Sequence, residues 1–292
     1  MHAVSRFISS GLVLFTMGLG AMNASFAAET QPAESGNPCL ACHADIGKHY
    51  ANTRHAVKDG RAPGDNCATC HGETLRHMSN PTKEKPQFTF KKDAKGFMSE
   101  EELKASNKVC TTCHNTATQT HWKGSTHERN GVGCVTCHKA HKADVALNSK
   151  TSTALCISCH TQQKADMFKV SSHPILSGQM NCVSCHNPHG TKAGGTALLK
   201  KDTVNDTCFT CHPGKRGPFI HSHQPVSEDC SICHNPHGSN KISMLKMRDD
   251  QLCRSCHNDH HDFMQGSQRT GCTTCHNKVH GSNTVGGKAL TK

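Results

Sequence analysis

All twenty cysteines of the 292-residue chain fall in one pattern, Cys-x-x-Cys-His, which occurs ten times. The copies are Cys39-Leu-Ala-Cys42-His43, Cys67-Ala-Thr-Cys70-His71, Cys110-Thr-Thr-Cys113-His114, Cys134-Val-Thr-Cys137-His138, Cys156-Ile-Ser-Cys159-His160, Cys182-Val-Ser-Cys185-His186, Cys208-Phe-Thr-Cys211-His212, Cys230-Ser-Ile-Cys233-His234, Cys253-Arg-Ser-Cys256-His257 and Cys272-Thr-Thr-Cys275-His276. Two thiols three positions apart lie on one face of a helical turn, where they can add to the two vinyl groups on one haem edge. The next residue then points its imidazole at the iron. Paired cysteines also bind zinc, form disulfides or exchange thiols. A zinc array would need two such pairs, or a pair and two histidines, per metal. Neither zinc nor a disulfide scaffold requires a histidine after every second cysteine. Ten copies with no cysteine left over therefore predict ten haem c groups, each with its motif histidine as proximal ligand.

A carrier of electrons closes the sixth iron position as well, usually with His or Met. Of the 25 histidines, ten are proximal and His2 lies in the N-terminal leader, which leaves fourteen candidates for ten distal positions. Taking motifs in consecutive pairs, one histidine falls between the two members: His55, His127, His173, His223, and either His260 or His261, of which His261 is the choice. Another follows the second member's own histidine by three to six residues: His77, His141, His189, His237 and His280. This internal repeat gives five dihaem units and a distal ligand for every iron. A histidine only three residues beyond a proximal one cannot easily reach the far face of the same haem, so it is expected to serve a neighbouring haem. His49, His121, His221 and the other of His260 and His261 are read as solvated surface residues. The methionines Met78, Met98, Met167, Met180, Met244, Met247 and Met264 share no register with the motifs and are read as packing against haem faces.

The elements that must position these ligands are short. Outside the first 27 residues there is one Trp, one Tyr and a thin scatter of aliphatic residues, too little apolar surface for a core of this length. The expected fold is mostly irregular with short α-helices, an elongated multihaem architecture of five dihaem repeats with haem as its core. Residues 1–27 read as a signal peptide, with Arg6, an apolar run over 7–22 and Ser25-Phe26-Ala27 before the cut. Residues 28–292 then form a single domain, haems 1–5 over about 28–168 and haems 6–10 over about 169–292. The longest motif-free stretch, 78–109, contains a strand-like Phe88-Thr-Phe90 and a capping-box signature at Ser99-Glu-Glu-Glu102, and it is equally compatible with a linker and with a docking segment. The formal charge of +11 could suggest nucleic acid, but two propionates on each of ten haems account for the excess of Lys and Arg, so no nucleic-acid partner is expected.

With these residues in view the chain resembles the MtrA/MtoA/PioA/DmsE family of periplasmic decahaem cytochromes. The likeness covers the mature chain and is closest over 156–238, through Cys159-His-Thr-Gln-Gln-Lys-Ala-Asp-Met167, Ser-Ser-His173-Pro174, the two Cys-His-Asn-Pro-His-Gly segments, Val204-Asn-Asp-Thr-Cys208 and Lys215-Arg-Gly-Pro218. The resemblance carries His55, His77, His127, His141, His173, His189, His223, His237 and His280 as distal ligands. It departs at His260-His261, where the family has one histidine, and before Cys272, where this chain is shorter. It implies a periplasmic haem wire associated with the outer membrane, inserted into an outer-membrane β-barrel porin-like protein. Its partners would be periplasmic or inner-membrane cytochromes and an extracellular multihaem cytochrome. Its task would be extracellular metal reduction or iron oxidation. A freely diffusing periplasmic shuttle and a multihaem reductase are the competing readings. The second needs an open iron, which ten intact motifs and a full set of distal histidines argue against.

Overall fold

In each of the ten motifs the histidine amide donates to the carbonyl of the first cysteine, at 2.9–3.1 Å, closing one helical turn. These turns set the local backbone, and the computed structural model contains few elements longer than they require. It describes residues 37–57, 62–64, 66–195, 197–257, 271–285 and 290. The leader, His260, His261 and Met264 therefore lie outside the described residues. Contacts divide the chain into Met1–Pro38 and Cys39–Lys292, and all ten motifs belong to the second unit.

Within a dihaem unit the two motifs are built differently. From the third motif on, the first member of each unit ends a helix: Glu100–Thr111 carries Cys110, Ser152–Ile157 carries Cys156, Val204–Phe209 carries Cys208 and Asp249–Arg254 carries Cys253. The second member makes its own single turn, α-helical at Ala68–His71 and Cys134–Cys137 and 3-10 at Cys182–Ser184, Cys230–Ile232 and Cys272–Thr274. The longest helix among the described residues has 12 residues, and none is long and apolar enough to cross a membrane. Sheet is absent among them; the extended contacts are isolated bridges.

Buried asparagines tie the two halves of a unit together. Asn107, three residues before Cys110, accepts the Cys134 amide at 3.3 Å. Asn205, three residues before Cys208, accepts the Cys230 amide at 2.7 Å and donates to the carbonyls of Val226 and Ser227 at 2.9 and 3.2 Å. Each asparagine anchors the start of a turn whose first amides have no helical partner.

Successive units are laced by returning segments. Ser239 exchanges two backbone hydrogen bonds with Ser171 of the preceding unit, and Ser282 does the same with His221, two residues before His223. The two His-Asn-Pro-His-Gly segments end on glycine because the chain arrives against backbone. At Gly190 (φ 101°) and Gly238 (φ 143°) a Cβ would overlap the carbonyl oxygens of His121 and Asp166 respectively.

Two expectations for this region change. Phe88-Thr-Phe90 is irregular, because no strand lies beside it and the Phe88 amide and carbonyl are both taken by His71. Only half of the capping box forms: Ser99 Oγ accepts the Glu102 amide at 3.3 Å, but the Glu102 carboxylate turns to the Lys91 amide at 3.0 Å. Of the methionines read as packing against haem, Met98 and Met167 are buried, with Leu103, Trp122 and Leu198, while Met78, on the Leu75–Ser79 helix, and Met247 are exposed.

Substituting Asn205→Ala leaves the Cys230 amide without its acceptor, at a cost of about 1–3 kcal/mol. The melting temperature of the haem-loaded protein should fall by several degrees. Differential scanning calorimetry checks this, with Asn115→Ala, outside the clamps, as the unaltered control.

Candidate functional site: paired imidazoles along a file of thiols

The structure brings the proximal and distal histidines together in nine ring pairs. They are His43–His77, His55–His114, His71–His141, His127–His160, His138–His189, His173–His212, His186–His237, His223–His257 and His234–His280, with centroids 5.8–6.3 Å apart. A metal bonded to two imidazole nitrogens at about 2 Å each holds ring centroids about 6 Å apart, so each pair has the spacing of a bis-histidine iron. His189 stands opposite His138, with two motifs between them in the chain, and His186, its near neighbour in sequence, stands opposite His237.

The pairing follows a rule. The histidine lying between the motifs of one unit faces the first motif of the next unit: His55 to His114, His127 to His160, His173 to His212 and His223 to His257. The histidine following the second motif faces the second motif of the preceding unit: His141 to His71, His189 to His138, His237 to His186 and His280 to His234. His77 has no preceding unit and turns to His43 in its own.

Eight of these rings are aimed by their second nitrogen. Nδ1 lies within hydrogen-bond distance of a backbone carbonyl at His71 (Phe88, 2.9 Å), His77 (Glu84, 2.9 Å), His127 (Pro188, 2.9 Å), His173 (Pro236, 2.8 Å), His186 (Ala197, 2.6 Å), His223 (Val279, 3.1 Å) and His234 (Ser243, 2.8 Å). At His138 the acceptor is the Asp144 carboxylate at 2.6 Å. Each Nδ1–H donates, which leaves the Nε2 lone pair for a metal. Pro188, Pro236 and Val279 immediately precede His189, His237 and His280. One returning segment thus delivers a ligand to one iron position and orients the ligand of another.

Burial holds His55, His141, His160, His189, His237 and His280 below the ordinary histidine range, and the facing imidazole adds to the effect, with Lys215 contributing at His280. Neutral imidazole is the form that ligates. Among the described residues no three or more His, Cys, Asp or Glu side chains gather into a metal cluster, whereas a zinc array requires four donors per ion. Of the histidines set aside as surface residues, His49 and His121 are exposed; half-buried His221 lends its backbone to Ser282.

The thiols run in numerical order. Within a unit the first cysteines are neighbours: Cys39 and Cys67, Cys110 and Cys134, Cys156 and Cys182, Cys208 and Cys230, Cys253 and Cys272. Between units the second cysteines are near enough to feel each other's charge: Cys70 and Cys113, Cys137 and Cys159, Cys185 and Cys211, Cys233 and Cys256. Close thiol pairs within units therefore alternate with electrostatic neighbours between units along all ten motifs. Imidazole pairs with their Nδ1 groups already committed, flanked by paired thiols, form a donor set that fits haem c. Buried polar groups fit it as well: Trp122 Nε1 and Asn107 Nδ2 have no hydrogen-bond partner among the described residues.

Comparison with known proteins agrees with the geometry. A family model described as a doubled CXXCH motif matches residues 127–165, 173–217 and 223–262, and one described as cytochrome c554 and c-prime matches residues 66–139. The chain is 38% identical over 291 residues to the multiheme cytochrome MtrA of Shewanella baltica (strain OS185), an alignment that covers 93% of this chain and 85% of the relative. The sequence reading missed the Nδ1 acceptors and the asparagine clamps. An Asn three positions before the first cysteine, at 107 and 205, was the available signal for the clamps; a carbonyl acceptor has no side-chain signature.

Removing one distal imidazole should open one iron. His189→Ala is expected to convert the haem on His138 to the high-spin ferric form, leaving the haem on His186 low-spin; electron paramagnetic resonance of the oxidised protein reads the first. Ring orientation gives a second signature. The pairs at His114, His160 and His212 are steep, at 82°, 64° and 49°, while the other six lie within 13–25°. Crossed imidazole planes bring two iron d orbitals close in energy and enlarge the g anisotropy. The same spectrum should therefore resolve two low-spin envelopes, with the smaller at higher g.

Proposed function

The chain belongs to the MtrA/MtoA/PioA/DmsE family of multihaem c-type cytochromes, and from that premise we propose that it holds ten haems in file and conducts electrons along them between periplasm and cell exterior. Haem supplies a one-electron iron couple in each motif, and hopping between neighbouring couples needs nothing else. The protein's residues close, orient and order those couples.

The observation that carries this reading is the order of the motifs in space: thiols pair within each unit and neighbour the next unit's thiols in chain order. Thioether sulfurs sit on the haem edge, so neighbouring cysteines would place successive haem edges near one another, and electron hopping falls steeply with edge separation. The Cys39–Cys67 pair starts the file, the neighbouring Cys70 and Cys113 continue it, and the alternation runs to Cys253–Cys272. Paired imidazoles leave no coordination position for a substrate, which favours a carrier over a reductase. Holding both axial ligands on one rigid lattice also keeps the iron environment alike in both oxidation states.

The facing rings support nine of the distal ligands. The tenth follows by count: His276 remains among the proximal ligands and His260 or His261 among the distal, with His261 the choice, and all three belong to the last unit. The file would then close at both ends with a ligand from its own unit, as His77 already does at the first.

The route across the outer membrane is supported by the family likeness and by the leader of the sequence, which is of the exported type. A porin-like barrel would surround the cytochrome, with periplasmic or inner-membrane cytochromes at one end and an extracellular multihaem cytochrome at the other. Ferric minerals or ferrous iron outside the cell are the expected terminal reactants.

Affinity purification from detergent-extracted membranes of the native host tests the route. A β-barrel outer-membrane protein should co-purify, and the complex in liposomes should let an external ferric chelate oxidise an enclosed dye. Recovery of the cytochrome wholly in the soluble periplasmic fraction, with no barrel bound, would show a diffusing shuttle instead.

A further inference from the structure

In the first four dihaem units the second motif has a recurring way of holding its proximal ring, and the second unit departs from it. At His71, His186 and His234 the Nδ1–H donates to a neutral backbone carbonyl, that of Phe88, Ala197 or Ser243, brought back by the chain that follows the motif. These acceptors lie 17, 11 and 9 residues downstream. The corresponding acceptor of His138 is the side chain of Asp144, only 6 residues on. The Oδ2–Nδ1 distance is 2.6 Å, and the side chain of Asp144 is only 14% exposed. Its other oxygen accepts the Ala146 amide at 2.9 Å, which fixes the carboxylate in place.

We propose that Asp144 is a positioning residue that gives the proximal ligand of the fourth haem imidazolate character and so lowers the reduction potential of that haem below the value a carbonyl acceptor would set. The inference rests on the ligand assignment made above, with His138 and His189 on one iron. A carboxylate draws the Nδ1 proton toward itself, the ring becomes a stronger donor through Nε2, and a stronger donor stabilises ferric over ferrous iron. The proton stays shared between Nδ1 and Oδ2. In a transfer into this site one electron leaves a neighbouring ferrous iron, which becomes ferric, and reduces the ferric iron at His138; no bond is made or broken.

The charge is also placed at a junction. Asp144 is felt at His55, the ring facing His114, and at Cys137. It therefore stands where the third and fourth iron positions meet. Lys92 and Lys139 lie beside Cys137 and act in the opposite sense on the same haem. Comparing variants at position 144 holds both lysines constant.

The test uses the haem-loaded full chain, its Asp144→Asn and Asp144→Glu variants, spectroelectrochemical titration, haem quantitation and paramagnetic resonance. With Asn, one haem of the set should shift about tenfold toward the ferrous form, ~59 mV for one electron, while the others keep their midpoints. Its ferric signal should spread to wider g values as the axial donor weakens, and Glu should restore most of both. Unchanged midpoints and spectrum in a fully loaded Asn variant would overturn the inference. If the Asn variant loads incompletely, the wild-type spectrum decides: one near-parallel component must show a narrower g spread than its counterparts, and its absence would equally overturn it. High-spin haem in the wild-type protein would instead contradict the ligand assignment beneath it.

Discussion

The structure turns on one arrangement, facing imidazole pairs spaced for a metal, which in eight of nine cases come from different units of the chain. Each such pair joins segments tens of residues apart. His127 and His160, His173 and His212, and His223 and His257 reach forward; His141, His189, His237 and His280 reach back to His71, His138, His186 and His234. A chain stapled at this density has little need for an apolar interior, and among the described residues only Met98, Leu103, Trp122, Met167 and Leu198 form one. The backbone between ligands is free to be irregular provided it returns the right carbonyl to the right ring.

That economy has a functional consequence. Iron closed on both faces by these pairs would exclude substrate, and the chain order of the neighbouring cysteines would set the order in which electrons move. The same segments serve both purposes: the stretch that delivers His189 also presents the Pro188 carbonyl to His127, so orientation and connectivity are not separable. Moving one segment would disturb two irons. The repeat is therefore held together by its ligands more than by the likeness of its loops, whose lengths vary from unit to unit.

Much of this was legible beforehand. The ten motifs specify the turns outright, because the spacing of two thiols and an imidazole around one haem edge admits little else. Placement of His55 or His237 relative to the motifs exposed the dihaem repeat, and the short reach from His186 to His189 pointed to a partner outside the local loop. What was not legible is the partner itself. That His189 meets His138 depends on a backbone reversal whose only sequence trace is Asn-Pro and a glycine, and on a close approach to His121 visible only in three dimensions. Phe88-Thr-Phe90 misled because alternating bulky residues look like a strand, while their work is to offer a carbonyl and a ring to His71. The clamps at Asn107 and Asn205 are polar residues on short helices, and without their contacts they look like solvated positions.

The central claim is that imidazole closes every iron on both sides. Near-infrared magnetic circular dichroism of the fully oxidised, haem-loaded protein reads axial ligands directly, since bis-histidine, histidine–methionine and high-spin irons give charge-transfer bands in separate regions. The account predicts a bis-histidine band with the intensity of ten low-spin haems and no other. A methionine-type band, or a high-spin band worth even one haem in the intact protein, would contradict it.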